Sequence, residues 1–167
     1  MPADLVDPIP GDTVLVAETG LGRLQLVARS ASSAFLVDEP VSVGGLGSGP
    51  NPYELLSAAL GSCTAMTLRL YAERKGWPLG RVQVSVRHHR PSLEARDLFE
   101  RTISVEGPLD AAQLEQLLAI AQRCPVHRTL DRGSDVVTTL TPAALDAAPS
   151  EGVPPEHMRD MEEASES

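Results

Sequence analysis

Residues 49–78 read Gly49-Pro-Asn-Pro-Tyr-Glu-Leu-Leu-Ser-Ala-Ala-Leu-Gly-Ser-Cys63-Thr-Ala-Met-Thr-Leu-Arg-Leu-Tyr-Ala-Glu-Arg-Lys-Gly-Trp-Pro78. Local chemistry marks both ends of one long helix in this stretch. Asn51 suits the N-cap, Pro52 the first helical position, and Glu54 stands three residues after the cap, as in a capping box. Leu55, Leu56, Ala59, Leu60, Cys63, Met66 and Leu70 follow at helical spacing. Basic residues fill the last turn, Gly76 stops the helix and Pro78 lies beyond it. About 25 residues make a rod roughly 37 Å long, more than most globular helices reach. Ser57, Gly61 and Ala65 recur every fourth residue, as do Ala58 and Ser62. Such small stripes let another backbone come close, so the helix is expected at the centre of the fold.

Outward from the helix, short β-rich segments stand on both sides. Thr13–Glu18, Arg23–Arg29 and Ser33–Asp38 precede it as expected strands, with Gly20 and Gly22 turning the chain. A flexible connection, Val43-Gly-Gly-Leu-Gly-Ser-Gly-Pro50, leads into the helix. Val82–His88 and Phe99–Val105 alternate cleanly after it. Asp110 is expected to cap a helix over Ala111–Arg123, with Leu114, Leu117, Leu118 and Ala121 on one face. Pro125 disfavours helical geometry at Cys124, which puts a helix end there. Asp135–Leu140 reads as a last strand. The expected division is an extended, proline-rich arm over residues 1–11, an α+β domain over 12–142 and an acidic, disordered tail over 143–167.

The chain has 167 residues, two cysteines and a net charge of −9. That length can bury a core without disulfide staples, and two cysteines exclude a disulfide-rich secreted scaffold. The tail holds seven acids against Arg159, so six of the nine net negative charges sit there and three remain for residues 1–142. Nothing resembles a basic nucleic-acid footprint. No stretch approaches a membrane span, and the acidic N-terminus offers no signal peptide. The expected location is the cytoplasm, where thiols rest reduced and a cysteine pair cycles rather than staples.

Cys63 and Cys124 are therefore the residues to weigh. A peroxide-reducing thiol enzyme needs one thiolate to attack an O–O bond and a second thiol to close the sulfenic acid into a disulfide. Against that stands an ordinary packing role. Leu56, Ala59, Leu60, Met66 and Leu70 surround Cys63 on its helix face, and buried free cysteine is a common small core residue. Burial raises a thiol's pKa and leaves it inert unless a cation compensates.

The chain resembles the osmotically inducible protein C and organic hydroperoxide resistance (OsmC/Ohr) family. Gly49–Cys63 and Arg123-Cys-Pro-Val-His-Arg-Thr-Leu130 carry the resemblance, which spans roughly residues 12–141. Met66–Pro78 looks most like the general OsmC-like branch. The resemblance implies an α+β fold with antiparallel-rich sheets wrapped around two long central helices in an intertwined homodimer, its active sites at the subunit interface. It implies reduction of organic hydroperoxides by thiol chemistry, with an external dithiol as reductant and no metal or organic cofactor. Carried across, Cys63 matches the peroxidatic cysteine and Cys124 the resolving one. The family's thiolate-holding arginine matches Arg23, with Arg29 an alternative. Its carboxylate partner stands ten residues before the cysteine. Here that position is Tyr53, and the acid is Glu54, nine before. Nine residues at 100° each put Glu54 about opposite Cys63 on one unbroken helix, so it reads either as the cap partner of Asn51 or as a gate for the arginine.

Cys124, read at the C-terminus of a helix, would feel the negative end of the dipole and be the poorer thiolate, which suits a resolving role. Cys124-Pro-Val-His127 with Cys63 and His88 or His89 would be a sparse metal set, because only one tight pair exists. His88 and His89, adjacent in a strand, face opposite sides. His127 and Arg128 read as loop anchors, and Trp77 as packing at a helix stop. The alternative from another class is a non-catalytic dimer of the same fold that binds an apolar ligand or partner in the interface cleft. A hydrolase with Cys63 as nucleophile and His127 as base ranks last, for want of an oxyanion-hole motif.

Overall fold

The computed structural model describes Ile9 and residues 11–142. The expected arm over residues 1–11 lies mostly outside these residues, and the expected tail over 143–167 lies wholly outside them. The described residues fall into two compact units, one holding the chain up to Pro52 with residues 136–142, the other residues 53–135.

The first unit is built on a three-stranded antiparallel meander, β1 (Leu15–Glu18), β2 (Leu26–Arg29) and β3 (Ala34–Val37), in the order β1-β2-β3. Leu15 faces Arg29 and Leu26 faces Val37 in its register. Each strand is shorter than the β-rich run that contains it, because the flanking residues are spent on turns. Thr19 N–H donates to Gln25 O at 3.2 Å, and Ser30 N–H to Ser33 O at 2.8 Å. After β3 a single 3₁₀ turn, Val41–Val43, ends at Gly44 with φ 95°.

Asp38 organises the glycine-rich loop that follows. Its buried carboxylate accepts N–H bonds from Glu39 (2.8 Å), Leu46 (3.0 Å) and Ser48 (3.2 Å) and the Ser48 hydroxyl at 2.7 Å. Burial pushes this carboxyl up, but the hydrogen bonds together pull it further down, so it stays ionised below the ordinary carboxylate range. Two glycines permit the wrap. A Cβ on Gly45 would meet Glu39 O at 1.8 Å, and one on Gly49 would meet Leu36 O at 2.1 Å. The loop is therefore fixed by backbone bonds to one acid rather than flexible.

The second unit carries the long helix, α1 (Pro52–Lys75), unbroken over 24 residues or about 36 Å. It lies on an antiparallel pair, β4 (Val82–His89) and β5 (Leu98–Val105), which is followed by α2 (Ala111–Ala121) and α3 (Pro125–Arg132). Of the small residues, Gly61 comes against the sheet, whereas Ala58 and Ser62 are exposed. The position of a Gly61 Cβ lies 3.6 Å from Val86 and 3.9 Å from Val84. Leu68, Tyr71 and Ala72 of α1 meet Leu117, Ile120 and Ala121 of α2 over Val82, Ile103 and Val105, forming the main core. Trp77 packs edge-on against Tyr71, with ring centroids 5.5 Å apart.

Asp110 caps α2 in a full capping box. Its carboxylate accepts Gln113 N–H at 2.8 Å, and Gln113 Oε1 accepts Asp110 N–H at 2.9 Å. Two expectations need correction. Asp135–Leu140 forms no strand, and Val136, Val137 and Leu140 are more than four-fifths exposed, so nothing among the described residues pairs with this β-prone run. In addition, the helix boundary expected at Cys124 is there, but α2 already ends at Ala121 and a new helix, α3, starts at Pro125.

Candidate active site

Pro125 has two effects on its neighbours. It forbids helical geometry at Cys124, which sits at φ −59° and ψ 139°. It also occupies the first position of α3, where its fixed φ is already helical and its missing N–H costs nothing. Cys124 is thus the N-cap of α3, and its sulfur accepts the His127 N–H at 3.3 Å. This overturns the placement of Cys124 at a negative helix end. The thiol faces the positive end of α3, which favours its anion.

Across 61 residues of sequence, Cys63 and Cys124 meet. Both are free thiols in one buried cluster, 8% and 0% exposed. Leu60 completes their cluster, with Leu70, Val86, Phe99, Val126 and Leu130 around it. The shared proton divides unequally. Cys63 is pushed up by its bond to Cys124, by burial and by the charge on Cys124, with Val126 N–H and Thr67 pulling back. Cys124 is pulled down by the bond from Cys63, against burial, with His127 N–H, Thr64 and the Arg101 charge adding to the pull. The helix start at Pro125 and the Arg101 charge thus favour the anion at Cys124, where a negative helix end was expected to disfavour it.

Arg101 was not singled out by sequence reading. Cross-strand pairs Val82–Val105, Val84–Ile103, Val86–Arg101 and His88–Phe99 share the inner face of the hairpin, so Arg101 is a cation among apolar neighbours. Its Nη1 donates to Thr64 Oγ1 at 2.8 Å, and that oxygen is 3.6 Å from Cys124 Sγ. Thr64 is fully buried and its hydroxyl is also 2.7 Å from Leu60 O. The available signal was one charge breaking the inner register of an otherwise clean alternation.

Of the four residues expected at a site, the second unit brings Cys63 and Cys124 together. Glu54 is in the first turn of α1 and exposed, while Cys63 is buried; because the helix is unbroken, the half-turn offset between them holds. Arg23 belongs to the first unit, in the turn before β2, with its guanidinium against Gly44. Tyr53 stacks on His88, with ring centroids 4.2 Å apart and planes 9° apart, and His88 Nε2 is 2.8 Å from Asp97 Oδ1. No group of three or more His, Cys, Asp or Glu side chains converges to hold a metal ion among the described residues.

A cleft of about 640 Å³ adjoins the pair, lined by Leu60, Phe99, Ile103, Leu118 and Leu130, with Arg101 and His127 among its polar groups. Leu60 belongs to both the cleft and the cysteine cluster. The arrangement presents two neighbouring thiols, a cation and an amphipathic opening. It suits nucleophilic sulfur chemistry on a partly apolar molecule.

Residues 45–139 match the family model described as OsmC-like protein. Among solved structures the chain is similar to a protein of Psychrobacter arcticus described as an osmotic stress induced and detoxification response protein. The identity is 22%, with 70% of this chain and 86% of that chain covered and a TM-score of 0.62. It is similar to an organic hydroperoxide resistance protein from Elizabethkingia anophelis at 21% identity, covering 70% and 87%, with a TM-score of 0.53. The organic hydroperoxide resistance protein OhrB of Bacillus subtilis aligns at 19% identity over 70% and 89%, with a TM-score of 0.51. These likenesses establish a shared α+β fold with antiparallel sheets. None of the curated proteins matches the chain. No helix among the described residues is long and apolar enough to cross a membrane.

Proposed function

This chain belongs to the OsmC-like protein family, and from that premise we propose that it is a thiol-dependent peroxidase that reduces organic hydroperoxides. Cys63, as thiolate, attacks the distal oxygen, becomes a sulfenic acid and releases an alcohol. Cys124 condenses with it to an intramolecular disulfide, water leaves, and an external dithiol restores both thiols. The observation that supports this reading most is that two free thiols 61 residues apart in sequence share one small buried cluster. Cycling needs that proximity, and a merely structural cysteine does not.

The wider proposal is a cytoplasmic homodimer in which the two copies of α1 lie side by side at the centre. Its support is the apolar surface the single chain leaves open on α1, including Leu56 and Met66. Arg23 is the proposed guanidinium that holds Cys63 once its proton has left, and Glu54 its carboxylate partner or the cap of α1. The test is direct. Purified protein consumes cumene or tert-butyl hydroperoxide in the presence of a dithiol, and Cys63→Ser loses turnover. Undiminished turnover in that variant removes the mechanism.

The apolar lining of the cleft favours a second reading, a non-catalytic dimer that binds an apolar ligand there. In that case Cys63→Ser and wild type bind an apolar fluorescent probe alike, and neither consumes peroxide.

A further inference from the structure

We propose that Arg101, acting through Thr64, is a positioning residue that keeps the resting negative charge of the cysteine pair on Cys124, so that Cys124 is first the base for Cys63 and only then the resolving nucleophile. The base role rests on the peroxidase reading above. The charge placement stands on the geometry alone.

Cys124 Sγ accepts the His127 N–H at 3.3 Å, has the Cys63 thiol beside it, and lies 3.6 Å from the Thr64 hydroxyl oxygen, whose own proton goes to Leu60 O at 2.7 Å. A sulfur that accepts from its surroundings is best satisfied as an anion. Arg101 supplies the countercharge. A guanidinium on the inner face of β5 needs an anion to offset its lost hydration. Among the described residues, no carboxylate forms an ion pair with Arg101. Its 2.8 Å bond to Thr64 Oγ1 places it one hydroxyl away from Cys124. The charged or titratable groups that face Cys124 from the packed elements are Cys63 on α1 and Arg101 on β5. Arg96, Asp97, His127 and Asp131 stand along the adjoining cleft.

The proton balance follows. Cys63 S–H gives its proton to Cys124 S⁻, and the Cys63 thiolate attacks the distal oxygen of the hydroperoxide. The S–O bond forms as O–O breaks, sulfur is oxidised, and the departing alkoxide takes the proton from Cys124 and leaves as alcohol. Cys124 is then a thiolate again, as the second step requires. It attacks the sulfenic sulfur, S–S forms, and the expelled hydroxide takes a solvent proton to leave as water. One anion serves both steps, so the buried site never needs a second thiolate.

The test titrates ultraviolet thiolate absorbance against pH in the reduced full-length protein. Cys63→Ala retains a thiolate whose midpoint lies below the free value of about 8.5, whereas Cys124→Ala loses the neutral-pH signal. Within Cys63→Ala, Arg101→Met raises the midpoint by about one unit, a tenfold loss of thiolate well below it. Arg101→Lys restores part of the shift, and Thr64→Val raises the midpoint with the guanidinium still present. Circular dichroism identifies any variant that fails to fold, and Thr64→Val and Arg101→Lys supply independent readings. A neutral-pH thiolate that persists in Cys124→Ala and vanishes in Cys63→Ala overturns the proposal. So does a midpoint unmoved by both Arg101→Met and Thr64→Val. Peroxide consumption by wild type is scored separately: its absence removes the peroxidase reading while the titration still decides where the charge sits.

Discussion

The sulfur of Cys124 accepts the backbone N–H of His127 at 3.3 Å, so the residue that closes the segment after α2 opens α3. Capping by sulfur ties a redox atom to the integrity of a helix.

Serine is a favoured N-cap and alanine is not. Cys124→Ala is expected to be less stable than Cys124→Ser by about 1 kcal/mol, measured by urea unfolding of the reduced proteins. Equal midpoints would mean that the sulfur contact contributes nothing to α3.

One equivalent of cumene hydroperoxide is expected to consume both thiols of the wild-type chain together. In Cys124→Ser the same treatment leaves a sulfenic acid that dimedone traps, with the added mass on the peptide holding Cys63. No disulfide forms within that variant. Label on neither residue would contradict the assignment of Cys63 as the oxidised sulfur.

The proton shared by the thiols makes stability pH-dependent in a defined direction. Cys124 is lowered to about 5 in the folded chain, whereas a free thiol titrates near ~8.5. Its contribution is present above the free value, declines as pH falls between the two, and is lost through about 5. Cys63 is raised, so its contribution is complete below the free value and is lost only on the alkaline side. Between these limits the folded pair holds fewer protons than the unfolded chain. The stability difference between wild type and Cys124→Ser should accordingly widen from pH 5 to pH 8. A difference that stays flat across that window would place the thiolate elsewhere.

Gly45 and Gly49 stand where a Cβ would meet backbone oxygens of Glu39 and Leu36 at 1.8 and 2.1 Å. Backbone gives way less readily than a flexible side chain. Gly45→Ala and Gly49→Ala are each expected to destabilise the chain by about 1–3 kcal/mol, seen as a lower thermal midpoint. Gly20→Ala meets no atom within 4 Å and carries only the penalty of its φ of 73°, so it should cost less.

Much of the architecture was legible residue by residue. The ends of α1 were marked by Pro52 at the start and Gly76 at the stop, and the Asp110 box announced α2. Alternation alone located β4 and β5 to within a residue. These rules work because they concern neighbours within one turn or one strand. The same locality misled at Pro125, where a residue that ends one helix was not also counted as the start of another. Asp135–Leu140 has the composition of a strand, but a strand needs a partner, and none is present among the described residues.

Composition and spacing were enough to locate the long helix and the antiparallel hairpin, because each follows from contacts a few positions apart. Which sulfur lies beside the cation and the helix start was set only when α1, β5 and α3 packed together. Folding brought Arg101, Thr64 and the His127 amide to Cys124 rather than to Cys63. Electrostatic energy depends on distance through space and on how much water remains between charges, and neither quantity is written in the order of residues along a chain.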